Sequence, residues 1–380
     1  MTYDSTRPWA KAIKQAVATK KMPPWYADPK YGHFSNDRSL TESEIATLTA
    51  WADSGAKAGD AKFAPKPVSF IEGWAIGKPD MVIQIPEPIQ IPASGTIDYQ
   101  YVIVPTGFTE DRYVSVAEAR PSNLALTHHI IAFIREPGTP WFKDEPLNKV
   151  FIPQKGGRGG GGFGGDMLSG YAPGTPPLRL APGQAKLVKA GSDIVFQLHY
   201  TANGTAGTDR SKVGIIFAKE KPTERVLTLA AANNEFGIPP NDPNYRVDSK
   251  ITLQEDAKLV QLLPHMHLRG KDFLYKVTYP TGETETLLSV PNYSFSWQLW
   301  YKLAQEKVLP KGTTIECTAH FDNSKNNGEN PDPSKTIRFG EQSWDEMMIG
   351  FFDVAVPLNV TPMDLMRPKH APKPRPSAEE

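Results

Sequence analysis

The stretch DIVFQLHYTA, residues 193–202, alternates residue by residue. Ile194, Phe196 and Leu198 fall on one side, and Val195, Gln197 and His199 on the other, which is the two-residue repeat of a β-strand. Gln197 and His199 therefore look out together, away from the apolar stripe, as a polar surface or as the wall of a site. Similar runs flank this one: MVIQIPEPIQI (81–91), IDYQYVIVPTGF (97–108), RYVSVAEARP (112–121), HHIIAFI (128–134) and KVGIIFA (212–218). Turn residues separate them at intervals that suit an antiparallel sandwich. After a break at KEKPTE (219–224) a second series begins: KLVQLLPHMHLRG (258–270), FLYKVTYPTGETETLLSV (273–290), TTIECTAHF (313–321) and EMMIGFFDVAV (346–356). The pattern predicts a mainly β chain of two tandem antiparallel β-sandwich domains, jelly-roll-like, over 62–222 and 223–360. A short helical segment precedes them over 1–61, and a flexible proline-rich tail follows over 361–380.

Bulk composition agrees. A chain of 380 residues exceeds one ordinary core. Its 36 prolines are about twice the usual share, which favours short strands joined by ordered loops. With 42 basic and 42 acidic residues the formal charge is zero, so nothing points to a nucleic-acid or anionic-membrane partner. Cys317 is the only cysteine, which rules out an internal disulfide and any thiolate cluster for zinc or iron–sulfur. No apolar run approaches the roughly 20 residues of a membrane-spanning helix. The opening MTYDSTRPWAKAIKQAV reads as a polar helix and not a signal peptide; an export signal is expected upstream or absent.

Within residues 1–60 two helices are expected, DSTRPWAKAIKQAVATK and LTESEIATLTAWADSGA. Thr41 and Glu44 form a capping box, Ile45, Leu48 and Trp51 share a face, and Gly55 is a natural stop. The glycine-rich stretch 154–177 lacks the Gly-Lys-Ser/Thr of a phosphate loop and is expected to be a flexible surface loop.

The histidines carry the chemistry. His265 and His267, two apart in a strand-like run, project from one face and can converge on a metal, with Met266 pointing away. Two hydrogen-bonded surface histidines are the plainer alternative. His128 and His129 are adjacent, so on a regular strand they face opposite sides. They can share an ion only at a strand end or bulge. His320 reads as an ordinary strand residue or a partner to the His265 pair, and His33 and His370 carry no assigned role. A thioether suits Cu(I), and imidazole suits both copper states, so a His-His-Met set points to copper more than zinc. Met347 and Met348 are the candidate sulfurs, against the ordinary use of methionine as core filler.

Taken in order, THH (127–129), QLHY (197–200), HMHLRGK (265–271) and DEMM (345–348) resemble the copper type II, ascorbate-dependent monooxygenases, the family of peptidylglycine α-hydroxylating monooxygenase and dopamine β-monooxygenase. The likeness covers roughly residues 70–356. It implies two copper ions: an electron-transfer copper on His128, His129 and His199, and an oxygen-binding copper on His265, His267 and Met347. Met347 is preferred because it follows Asp-Glu as the family's methionine does, and Gln197 sits where the family has a polar residue near the first copper. The implied activity is O2 activation and hydroxylation of a C–H bond in a small organic substrate, with an external electron donor and a periplasmic or extracellular location. A copper-binding or electron-transfer protein without oxygenase activity is the competing reading. The animal enzymes carry several disulfides and this chain can form none, so their substrates do not transfer. Residues 21–56 are similar to the C-terminal half of a c-type cytochrome, with Met22 where the axial ligand would be, but no Cys-x-x-Cys-His is present and haem is not expected. That segment is expected to be loosely folded or docked on the first sandwich.

Overall fold

A computed structural model describes residues 2–64, 66, 73–153 and 164–366. The first series of strands comprises β1 (Met81–Gln84), β2 (Ile89–Ile91), β3 (Gln100–Pro105), β4 (Arg112–Arg120), β5 (Thr127–Arg135), β6 (Val150–Phe151), β7 (Asp166–Tyr171), β8 (Leu178–Arg179), β9 (Gln184–Val188), β10 (Asp193–Tyr200), β11 (Gly207–Asp209) and β12 (Lys212–Phe217). The second comprises β13 (Glu224–Asn233), β14 (Gly237–Ile238), β15 (Tyr245–Thr252), β16 (Ala257–His265), β17 (Gly270–Thr278), β18 (Thr284–Val290), β19 (Tyr301–Leu309), β20 (Thr314–Phe321), β21 (Ile337–Arg338) and β22 (Met348–Pro357). The chain is mainly β, as its alternating runs require.

In the first half the sheet β6-β3-β10-β5-β7 packs on β1-β12-β4-β9, and in the second β15-β20-β17-β18 packs on β13-β22-β16-β19. Their cores are separate. One is built from residues such as Ile83, Val114, Ile130, Ile194 and Phe196, the other from Leu229, Phe273, Ile315, Phe352 and Val354. A parallel contact between β9 and β13, Gln184 opposite Glu224 and Ala185 opposite Arg225, joins one sheet of each half into a continuous path. Between the halves lies a third apolar cluster, where Tyr101, Phe133, Met167 and Val195 meet Met347, Ile349 and Phe351. The second face of β10, which a lone sheet would show to water, is therefore covered.

A buried polar cluster also crosses this seam. Lys186 Nζ donates to Asp166 Oδ1 at 2.8 Å and to Thr228 Oγ1 at 2.9 Å. Asp353 accepts from Thr228 and from Gln261, each at 2.6 Å. Lys186 and Asp353 are each 1% exposed. Removing the ammonium leaves buried carboxylates uncompensated, so Lys186→Met is expected to cost about 3–5 kcal/mol in urea unfolding, with much of it recovered in Lys186→Met/Asp166→Asn.

Three features differ from the expectations. The N-terminal segment docks on the second sandwich, not the first, through residues 25–36. Trp25 and Phe34 stack around Tyr301, the Phe34 backbone bridges to Leu303, and Asn36 bonds the Trp300 carbonyl and the Lys302 amide at 2.7 and 3.0 Å. Tyr301 opens β19, an edge strand, and an unpaired edge recruits neighbouring backbone. Helices α1 (Tyr3–Thr6), α2 (Ala10–Ala18) and α3 (Glu42–Asp53) complete the segment; the Thr41–Glu44 box caps α3 and Gly55 follows its end at φ +89°. Next, residues 166–171 of the supposed loop form β7 on the edge of β5, because Met167, Leu168 and Ser169 are buried there; residues 154–163 lie outside the described residues. Finally, Pro362–Met366 at the start of the supposed tail is a helical turn, α4, whose Leu365 is fully buried in the second core. Residues 367–380 are outside the described range.

Candidate metal centres

The strand β5 pairs His129 with His199 of β10, then Thr127 with Tyr200. His128 is the extra residue of a β-bulge, and a bulge breaks the alternation that would send adjacent side chains to opposite faces. The three imidazoles consequently meet. Their donor atoms all lie within 4.8 Å of one another, the only such cluster of histidine, cysteine or carboxylate residues among the described residues.

Hydrogen bonds identify which nitrogens face inward. Gln197 donates its amide N–H to the Tyr101 hydroxyl at 2.7 Å, so its Oε1 is turned to His129 Nε2 at 3.3 Å and that nitrogen carries the proton. The Nδ1 atoms of His128 and His129 are 3.2 Å apart, and Nδ1 of His199 is buried without a partner. One ring nitrogen from each of the three histidines thus reaches one nest, with the Nδ1 atoms of His128 and His129 facing each other. Donors bound to one ion at about 2.0–2.1 Å stand roughly 3 Å apart, so a small contraction of this set would fit a metal. Tyr99 roofs the nest, its ring 4.4 Å from that of His199 and 5.4 Å from that of His129.

The second set forms where β16 ends. His265 closes the strand and His267 lies in the following turn, with ring centroids 5.2 Å apart at 88°. Met266 points the other way into the core, its backbone N–H and C=O both bonded to the Tyr293 hydroxyl. Gln298 Oε1 sits 2.5 Å from His265 Nδ1, and the Asp345 carbonyl 3.4 Å from His267 Nδ1. Both acceptors place the proton on Nδ1 and leave Nε2 as the lone-pair nitrogen. Met347 lines the same cavity as His265, while Met348 is wholly buried in the second core.

Burial lowers the proton affinity of all five rings. It is the main cause for His128, for His129, held well below the ordinary imidazole value, and for His267; His199 falls to about 3 and His265 to about 4. Mutual repulsion adds to this: His128 acts on both His199 and His265. Neutral imidazoles are the form that binds a metal.

Other contributors were not singled out in the sequence. Glu346, fully buried, accepts from the backbone N–H of His267 at 2.8 Å and of Arg269 at 2.6 Å, tying the His-x-His turn to the Met347 segment. Arg269, also buried, donates to the Trp344 carbonyl and Asn323. An acid entering the apolar run EMMIGFF was the available signal. Phe295 stacks on His128 at 5.1 Å and meets His267 edge-on at 5.8 Å, so one ring touches both sets. The crowding of aromatics in NYSFSWQLW, residues 292–300, was the hint for it and for Gln298. His320 pairs with Asp272 on the neighbouring strand at 2.7 Å as an ordinary strand residue. His33 is exposed, with its backbone carbonyl bonded to Ala304, and His370 lies outside the described residues.

No protein-family model matches the chain, and no curated protein does. Among solved structures, that of infectious bursal disease virus Gx strain is similar over 76% of this chain and 75% of its own, at 10% identity and a TM-score of 0.22. PNGF-II is similar over 76% and 66%, at 10% identity and 0.30, and STIV MCP over 64% and 94%, at 9% identity and 0.24. At such scores these likenesses speak to neither topology nor activity.

Proposed function

We propose that the chain is a copper-dependent monooxygenase that uses two separate copper sites to hydroxylate a C–H bond of a small organic substrate. The observation that carries the reading is the convergence of two chemically different donor sets from distant parts of the sequence: one ring nitrogen each of His128, His129 and His199, and two Nε2 lone pairs of His265 and His267 in a segment tied to that of Met347. When bound, copper supplies the one-electron and O2 chemistry that side chains lack. The net reaction consumes O2, the substrate C–H, two electrons from an external one-electron donor of the ascorbate type and two protons, and yields the alcohol and water.

The residues do the rest. Gln197 and Tyr101 lock the His129 tautomer, and Gln298 does the same for His265. Glu346 holds the turn that carries His267. Ile131, Phe133 and Phe351, on the wall between the sets, would pack against the substrate beside the reacting C–H. Gln298→Ala is expected to weaken copper at the second set about 10–100-fold in a chelator-competition titration, with the first set unchanged.

The test is oxygen uptake by the copper-loaded chain with ascorbate. Uptake that depends on an added organic substrate and yields its hydroxylated product is the expected result. Copper that cycles between oxidation states without substrate-dependent uptake would instead make the chain an electron-transfer protein.

A further inference from the structure

A cavity of about 440 Å³ opens between the two histidine sets, within the roughly 300–1,000 Å³ typical of small-molecule sites. His128, His129, His265 and Met347 line it, so a molecule held there lies against both sets. Its apolar walls come from both sandwiches: Ile131, Phe133 and Tyr171 from the first, Leu263, Trp300 and Phe351 from the second.

Charge is distributed unevenly around it. No lysine or arginine lines the cavity among the described residues, whereas Glu329 and Glu341 do. The nearby cations are engaged or outside. Arg269 is buried against Trp344 and Asn323, and Arg38 comes near Gly174 at the mouth without lining the cavity. Lys155 and Arg158 lie outside the described residues. The two amides beside the histidines are already committed, Gln197 to Tyr101 and His129, Gln298 to His265 and the Phe295 carbonyl. An anionic group moved from water into this space would lose its hydration and gain no cation or bidentate donor in return.

We propose that the cavity selects a largely apolar substrate without an anionic group, of about the size of a substituted aromatic ring, and rejects molecules that carry a carboxylate or phosphate. The identification of this molecule as the hydroxylation substrate rests on the monooxygenase reading; the selectivity itself is a property of the cavity and is measured without turnover.

The test compares 3-phenylpropan-1-ol with 3-phenylpropanoate, near-matched in shape and different in charge, by equilibrium dialysis against the metal-free full chain. The neutral molecule is expected to bind at least about tenfold more tightly. Ser296, exposed on the cavity wall, supplies the counter-variant: Ser296→Arg provides the missing cation and is expected to narrow or reverse the ratio. Equal or tighter binding of the carboxylate by the wild-type chain, no binding of either at millimolar concentration, or a ratio untouched by Ser296→Arg overturns the proposal. Selective binding of the alcohol with no hydroxylated product from the copper-loaded chain would overturn the monooxygenase reading and leave the cavity inference standing.

Discussion

His265→Ala is expected to lower substrate hydroxylation by about a thousandfold, equivalent to roughly 4 kcal/mol of transition-state stabilisation, while the chain keeps one copper. The asymmetry follows from the separation of the donor sets. The second set has only His267 and Met347 once His265 is gone, too few donors to hold an ion in a defined geometry. The first set keeps all three of its imidazoles, and Gln197 with Tyr101 on the other sandwich still fixes the His129 tautomer. Met347→Leu is the conservative companion. It keeps the volume of a side chain packed with Ile349 and Phe351 and removes only the thioether, so folding is retained while activity falls. Copper counting by metal analysis, alongside product formation, checks both variants. Two coppers retained in His265→Ala with normal turnover would contradict the assignment of the second set.

The second large effect is on stability against pH. In the metal-free chain, five buried or half-buried imidazoles have depressed proton affinity, while in the unfolded chain each titrates near 6.5. Between those limits the unfolded state binds more protons, so stability is present above about pH 6.5 and is lost as the pH falls toward each folded value. His199, at about 3, and His265, at about 4, each approach a loss of about 1.4 kcal/mol per pH unit over that interval. Glu346, raised to about 8 by burial, and Asp353, raised for the same main reason, act in the opposite sense; their contribution falls as pH rises above the ordinary carboxylate range. Five rings outweigh two carboxyls, and marginal stability is on the order of 5–15 kcal/mol. The metal-free chain is therefore expected to unfold on the acid side before pH 4, as followed by circular dichroism or urea midpoints. Replacing His199 and His265 together by Gln should flatten the curve between pH 4 and 6.5. A metal-free stability that holds level from pH 7 to pH 4 would mean that the rings are solvated.

Much of this was legible in the sequence because side-chain alternation is a local signal. The runs around Ile194, Val213, Leu259 and Ile349 became strands, and the box at Thr41 became a helix start. The adjacency of His128 and His129 required a strand end or a bulge for a shared ion, and β5 has a bulge there. What stayed hidden depends on contacts distant in the chain. Strand β7 is short and follows glycines, so only its neighbour β5 reveals it. The docking of Trp25 and Phe34 on Tyr301 joins residues roughly 270 apart, and no local pattern encodes which sandwich edge is free. Val195, Gln197 and His199 look like a solvent face until the second sandwich is laid over them. Glu346 enters the sequence reading only as the residue before Met347, because burial of an acid is visible only once the turn at His267–Arg269 folds over it.

The most direct measurement is anomalous X-ray scattering at the copper edge from crystals of the copper-loaded protein. Two peaks are expected, one inside the triangle of ring nitrogens of His128, His129 and His199, the other within bonding distance of His265 and His267 Nε2 and of the Met347 sulfur. A single peak, or a second peak with the Met347 sulfur turned away from it, would contradict the two-copper reading.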